Sequence, residues 1–95
     1  MRYVILMKFT EQGIKNVKGT VERTVANRQR IEAAGGKFLS VYWTQGEYDL
    51  VAILESPDED SAMAFLLQLG MAGYVTTETL RAFDDTEMQR IIGKA

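Results

Sequence analysis

The 95-residue sequence predicts one α+β domain: a four-stranded antiparallel sheet with two helices on one face and a short C-terminal helix. Three observations lead there. Unbroken aliphatic and aromatic runs alternate with apolar residues at helical spacing, in the order strand, helix, strand, strand, helix, strand. Glycines or helix-capping residues stand at most of the boundaries. The chain, 46% hydrophobic and 25% charged, has the length of a single domain, so residues 1–95 form one unit. That order is a split βαβ repeat, the ferredoxin-like βαββαβ arrangement.

Residues 2–9 are apolar almost without a break, which suits a strand buried on both faces. Thr10 to Gly13 is polar, after which Ile14, Val17, Val21 and Val25 recur at spacings of three and four, with Ile31 beyond them, as a helical stripe. Gly19 divides this stretch into a short first helix and a main one from near Thr20, and Gly35-Gly36 ends it. Lys37 to Thr44 reads as a second strand, Gln45-Gly46-Glu47 as a turn and Tyr48 to Glu55 as a third strand, together an antiparallel hairpin. Ser56-Pro57-Asp58-Glu59 reads as a helix start, with Ser56 as cap and Glu59 reaching back to it. Ala62, Phe65, Leu66 and Leu69 form the stripe of that helix, and Gly70 or Gly73 closes it before a fourth strand, Tyr74 to Phe83. Asp84 and Glu87 repeat the capping pattern ahead of a last helix bearing Met88, Ile91 and Ile92.

Successive strand residues point to opposite faces, so a sheet with one wet face alternates apolar and polar residues. These strands do not. The first divides into Tyr3, Ile5, Met7, Phe9 and Val4, Leu6, Lys8; the third into Leu50, Ala52, Leu54 and Val51, Ile53, Glu55. The second divides into Leu39, Val41, Trp43 and Phe38, Tyr42, Thr44. Helices cover only one face, and an open apolar sheet exceeds the patch a monomer tolerates. The chain is therefore expected to associate with itself, as a homodimer or higher homo-oligomer, through the open sheet face.

The sequence contains no cysteine and no histidine. No disulfide framework is available, and the common zinc, iron–sulfur and haem sites lack their ligands, so no metal and no cofactor are expected. Ser-His-Asp and Cys-His catalytic sets cannot be assembled. A net charge of -2, with Lys and Arg scattered, provides no footprint for nucleic acid or an anionic membrane. The first apolar run is too short to span a bilayer or to serve as a signal peptide, and a cytoplasmic location is expected.

Gly46-Glu47-Tyr48-Asp49, then Glu55-Ser56-Pro57-Asp58 after an apolar strand, then Gly73-Tyr74-Val75-Thr76-Thr77-Glu78-Thr79-Leu80, resemble the GYD domain family over nearly the whole chain. The resemblance implies a ferredoxin-like fold of the dimeric α+β barrel group, in which two sheets pack face to face. It implies little about activity, since the family is largely uncharacterised. The second half is also similar, more weakly, to the ligand-binding domain of leucine-responsive and asparagine-type transcription regulators, which share the Gly-x-Tyr-Asp turn. This chain has no helix-turn-helix domain to match theirs.

Candidate site residues carry two readings each. Asp49 and Tyr48 suit a base and a proton donor converging on one substrate atom, or else turn chemistry and a strand-opening aromatic. Arg28, on or beside the apolar stripe of the main helix, suits an internal carboxylate or the anionic group of a ligand, or a stem that snorkels to solvent. Tyr42, Trp43 and Lys8, near strand ends, suit an apolar small molecule with one polar group, or a packed core or interface. Asp58, Glu59 and Asp60 read as first-turn charges matched to the helix dipole rather than a metal site. Lys15, Lys18, Glu22 and Arg23 read as a solvated helix face. These residues lead to a homo-oligomeric small-ligand-binding module. The alternatives are a cofactor-free isomerase- or monooxygenase-like enzyme, for which Asp49 and Tyr48 would be the catalytic pair, or a purely structural interaction domain.

Overall fold

The computed structural model describes residues 1–95. Four strands and four helices follow one another as β1 (Arg2–Phe9), α1 (Glu11–Lys15), α2 (Thr20–Ala33), β2 (Lys37–Trp43), β3 (Leu50–Glu55), α3 (Glu59–Ala72), β4 (Val75–Ala82) and α4 (Asp85–Ile92), with one 3₁₀ turn at Val17–Gly19. The strands form a single sheet in the order β2-β3-β1-β4, every neighbour antiparallel. The fold is thus α+β. None of its helices is long and apolar enough to cross a membrane.

One face of the sheet carries the core. Tyr3, Ile5 and Met7 of β1 and Leu50, Ala52 and Leu54 of β3 alternate onto it and are buried beneath Ile31 of α2 and Ala62, Phe65 and Leu69 of α3. Cross-strand partners share a face, so Tyr3–Leu54, Ile5–Ala52 and Met7–Leu50 pack side by side. The opposite face presents Val4, Leu6, Val51 and Ile53, with Tyr42 of β2 and Leu80 of β4 65% and 45% exposed. No element of the chain covers this face.

Three local readings are corrected. In β2 the register shifts between Phe38 and Ser40, a bulge that puts two residues opposite one. Phe38 therefore joins Val41 and Trp43 on the helix-covered face, meeting the Phe65 ring edge-on at 5.6 Å, while Leu39 is exposed. The cap of α3 is Asp58, whose carboxylate accepts from the Ser61 N–H at 2.7 Å, and not Ser56. Ser56 is occupied otherwise: its N–H donates to the Met1 carbonyl at 2.7 Å, prolonging the ladder, and its hydroxyl donates to the Asp58 carbonyl. The valine stripe of the helical region faces outward, with Val21 59% exposed; Thr20, Thr24, Asn27 and Ile31 face the sheet.

Other boundaries match closely. α3 ends at Gly73, whose φ of 82° is the left-handed geometry that a Cβ would strain. Asp84 and Glu87 form a reciprocal capping box at α4. That helix is held by Arg2, whose guanidinium lies 3.4 Å from Asp84 and 3.8 Å from Glu87, and its apolar Met88 and Ile92 are exposed.

Candidate functional site

Two places gather side chains capable of recognition: the corner between β2 and β3, and a cavity beneath α2.

At the corner, Gly46 has a φ of 114°, and the loop closes where the Thr44 N–H donates to the Asp49 carbonyl at 2.8 Å. Asp49 pins this loop to β1. Its N–H donates to the Met7 carbonyl at 2.8 Å, and its carboxylate accepts from the Phe9 N–H, also at 2.8 Å. The Tyr48 hydroxyl crosses β1 to donate to the Glu78 carboxylate on β4 at 2.5 Å. That hydrogen bond, helped by slight desolvation and the charges of Glu78 and Glu47, pushes the phenol up to about 12. Lys8 lies over the Tyr48 ring, 5.2 Å from its centroid, and 3.7 Å from Glu47. The corner brings together Lys8, Tyr48 and Asp49, adds Glu78, and engages each of them in a contact that fixes the strands.

The remaining candidates lie apart. Tyr42 stands on the open face opposite Val51. Trp43, on the other face, donates its indole N–H to the Thr20 hydroxyl at 3.1 Å, tying the end of β2 to the start of α2. Arg28 is half-buried on α2 but lines neither principal cavity and makes no hydrogen bond or ion pair. No group of three acidic side chains is placed to hold a metal ion.

The larger cavity lies between α2 and the sheet, with a volume of about 200 Å³. Its floor is Ile5, Met7, Leu50 and Ala52; Phe38, Val41 and Leu69 add apolar wall. α2 contributes Thr20, Arg23, Thr24, Asn27 and Arg30. The space exists because threonines and an asparagine stand over Ala52 where larger apolar side chains would fill a core to its usual density. Arg23, which the sequence placed on a solvated face, is half-buried: its guanidinium stacks 4.1 Å from the Tyr74 ring centroid and donates through Nη1 to the Asn16 carbonyl at 2.8 Å. Its Nη2 is shielded from solvent and has no hydrogen-bond partner. Arg23 is the residue that periodicity missed. The signal was a second stripe, Thr20, Thr24, Asn27 and Ile31, with Arg23 and Arg30 along its edge.

The family model of the GYD domain matches residues 3–92. The chain belongs to the GYD domain family. No curated protein and no solved structure gives a significant match. In this GYD domain the Gly46-Glu47-Tyr48-Asp49 segment is a structural corner: glycine turns the chain, aspartate closes the loop onto β1, and tyrosine reaches across to β4. The cavity with its unpartnered guanidinium nitrogen is a separate feature on the other side of the sheet.

Proposed function

We propose that this GYD domain is a homo-oligomeric small-ligand-binding module. A ligand occupies the cavity under α2, and a second copy covers the open sheet face. The observation that carries the reading is the apolar cavity of about 200 Å³, bordered by a few polar side chains on one wall, which is the composition of a small-molecule site. An engineered apolar cavity of about 150 Å³ binds benzene, so this volume admits a compact organic molecule.

The subunit is read as ferredoxin-like, supported by the strand order β2-β3-β1-β4 and by α2 and α3 sharing one face. The assembly is read as a dimeric α+β barrel, supported by the row Ile53, Val4, Leu80 running across three strands of the open face. Binding is favoured over turnover because Asp49 and Tyr48, the pair a cofactor-free reaction would use, are both engaged in strand-fixing hydrogen bonds. The test uses Trp43, the sole tryptophan, bonded to Thr20 at the cavity wall. Screening compact organic molecules against Trp43 emission, with native mass spectrometry for co-purified ligands, is expected to find saturable binding at the ratio of one per chain. No saturable binder in either measurement contradicts the reading.

A further inference from the structure

We infer that the cavity is selective for a monocarboxylate with a compact apolar body, its carboxylate accepting from Arg23. The inference rests on the ligand-binding reading above and specifies its chemistry. Arg23 carries five N–H donors, and one hydrogen bond, from Nη1 to Asn16, is its only one in the chain. No carboxylate of the chain pairs with it. Nη2 is closed to solvent, so bulk water does not serve as its acceptor either. A buried donor without a partner is unfavourable, and because Arg23 borders the cavity a small shift of its side chain would bring that donor to an anion held there.

The charge of the lining agrees. Arg23 and Arg30 both border the cavity and no Asp or Glu does, although the chain as a whole has a net charge of -2. Positive charge concentrated in one recess of an acidic protein selects for an anion. The sheet side of the lining selects against a bare one: Ile5, Met7, Val41, Leu50 and Ala52 offer a phosphate or sulfate nothing but desolvation. The shared requirement is one carboxylate on an apolar body. Scaled from the benzene-binding cavity, the volume suits roughly eight non-hydrogen atoms, close to the size of a small aromatic or branched short-chain acid.

The probes are benzoate, its neutral counterpart benzamide, and inorganic phosphate, followed by Trp43 emission and by NMR shifts of the Ala52 and Val41 methyl groups. Benzoate is expected to shift those methyls and to bind the unaltered protein about tenfold to a hundredfold more tightly than benzamide, the range for a charge-assisted hydrogen bond. Arg23→Met is expected to erase that difference, leaving benzamide unaffected. Benzoate and benzamide binding equally in the unaltered protein overturns the carboxylate assignment while the ligand-binding reading stands; this comparison needs no variant to fold. Phosphate competing with benzoate at similar concentration overturns the apolar-acid assignment. Methyl shifts absent with both organic probes overturn the inference. Whether the ligand-binding reading falls with it is decided separately by the wider screen.

Discussion

Filling the cavity from its floor separates an empty site from a packed one by the sign of a stability change. Ala52 is fully buried between its cross-strand partners Ile5 and Val41 and lines the cavity. Ala52→Leu adds three carbons to a space of about 200 Å³. At about 0.8 kcal/mol per buried methylene the gross gain is about 2.4 kcal/mol. Restricting a leucine side chain takes back about 0.5–1 kcal/mol, leaving about 1.5 kcal/mol. For a domain of this size about 1.5 kcal/mol corresponds to a rise in Tm of about 6–12 °C. The assay is thermal unfolding by circular dichroism at one fixed protein concentration, because association makes Tm concentration-dependent. The same variant is expected to lose benzoate binding. A fall in Tm, as overpacking a filled core produces at a cost of about 1–3 kcal/mol, refutes the cavity.

Four further outcomes follow from local geometry. A Cβ at Gly13 would overlap the Tyr74 carbonyl oxygen, parting α1 from the turn that binds Thr10 through the Tyr74 and Gly73 carbonyls. Gly13→Ala should therefore cost about 2–3 kcal/mol in urea unfolding, two hydrogen bonds plus strain, whereas Gly70→Ala, which meets nothing, should stabilise α3 by up to about 1 kcal/mol. Tyr48 holds its proton from its usual 10.0 up to about 12, so its bond to Glu78 supports the fold below pH 10.0 and is lost between there and about 12. Absorbance titration should show a phenol ionising late, and Tyr48→Phe should remove that late step. Asp58 and Asp84 lie below their usual 3.8, each mainly because its carboxylate accepts a backbone N–H at a helix start. Their contribution is present above pH 3.8 and lost as pH falls further, so the stability gap between the protein and Asp58→Asn should shrink in that acid range.

Most of the fold was legible because its signals are local. The capping box at Asp84 and Glu87 and the glycine closing α3 each act within a few residues, and both stand where the sequence places them. The Ser56 cap did not, because a partner 55 residues away, Met1, claims its N–H. The bulge in β2 moved Phe38 across the sheet for a comparable reason: register belongs to a pair of strands, and one strand's alternation does not contain it. The site was less legible. Valines read as the buried side of α2 put Arg28 beside the core. The helix is instead turned so that Thr20 meets Trp43 and Arg23 meets Tyr74, contacts spanning 23 and 51 positions. Asp49 and Tyr48 are legible as turn and strand-opening residues, and their hydrogen bonds to Phe9 and Glu78 build the corner.

Both faces of this sheet are apolar: one borders the cavity beneath α2, proposed above as a ligand site, and the other is uncovered, where a second copy is proposed. The most direct test is the mass of the protein in solution, by light scattering at micromolar concentration. An assembly of at least two 10.7 kDa chains is predicted, and a stable species of one chain contradicts the account.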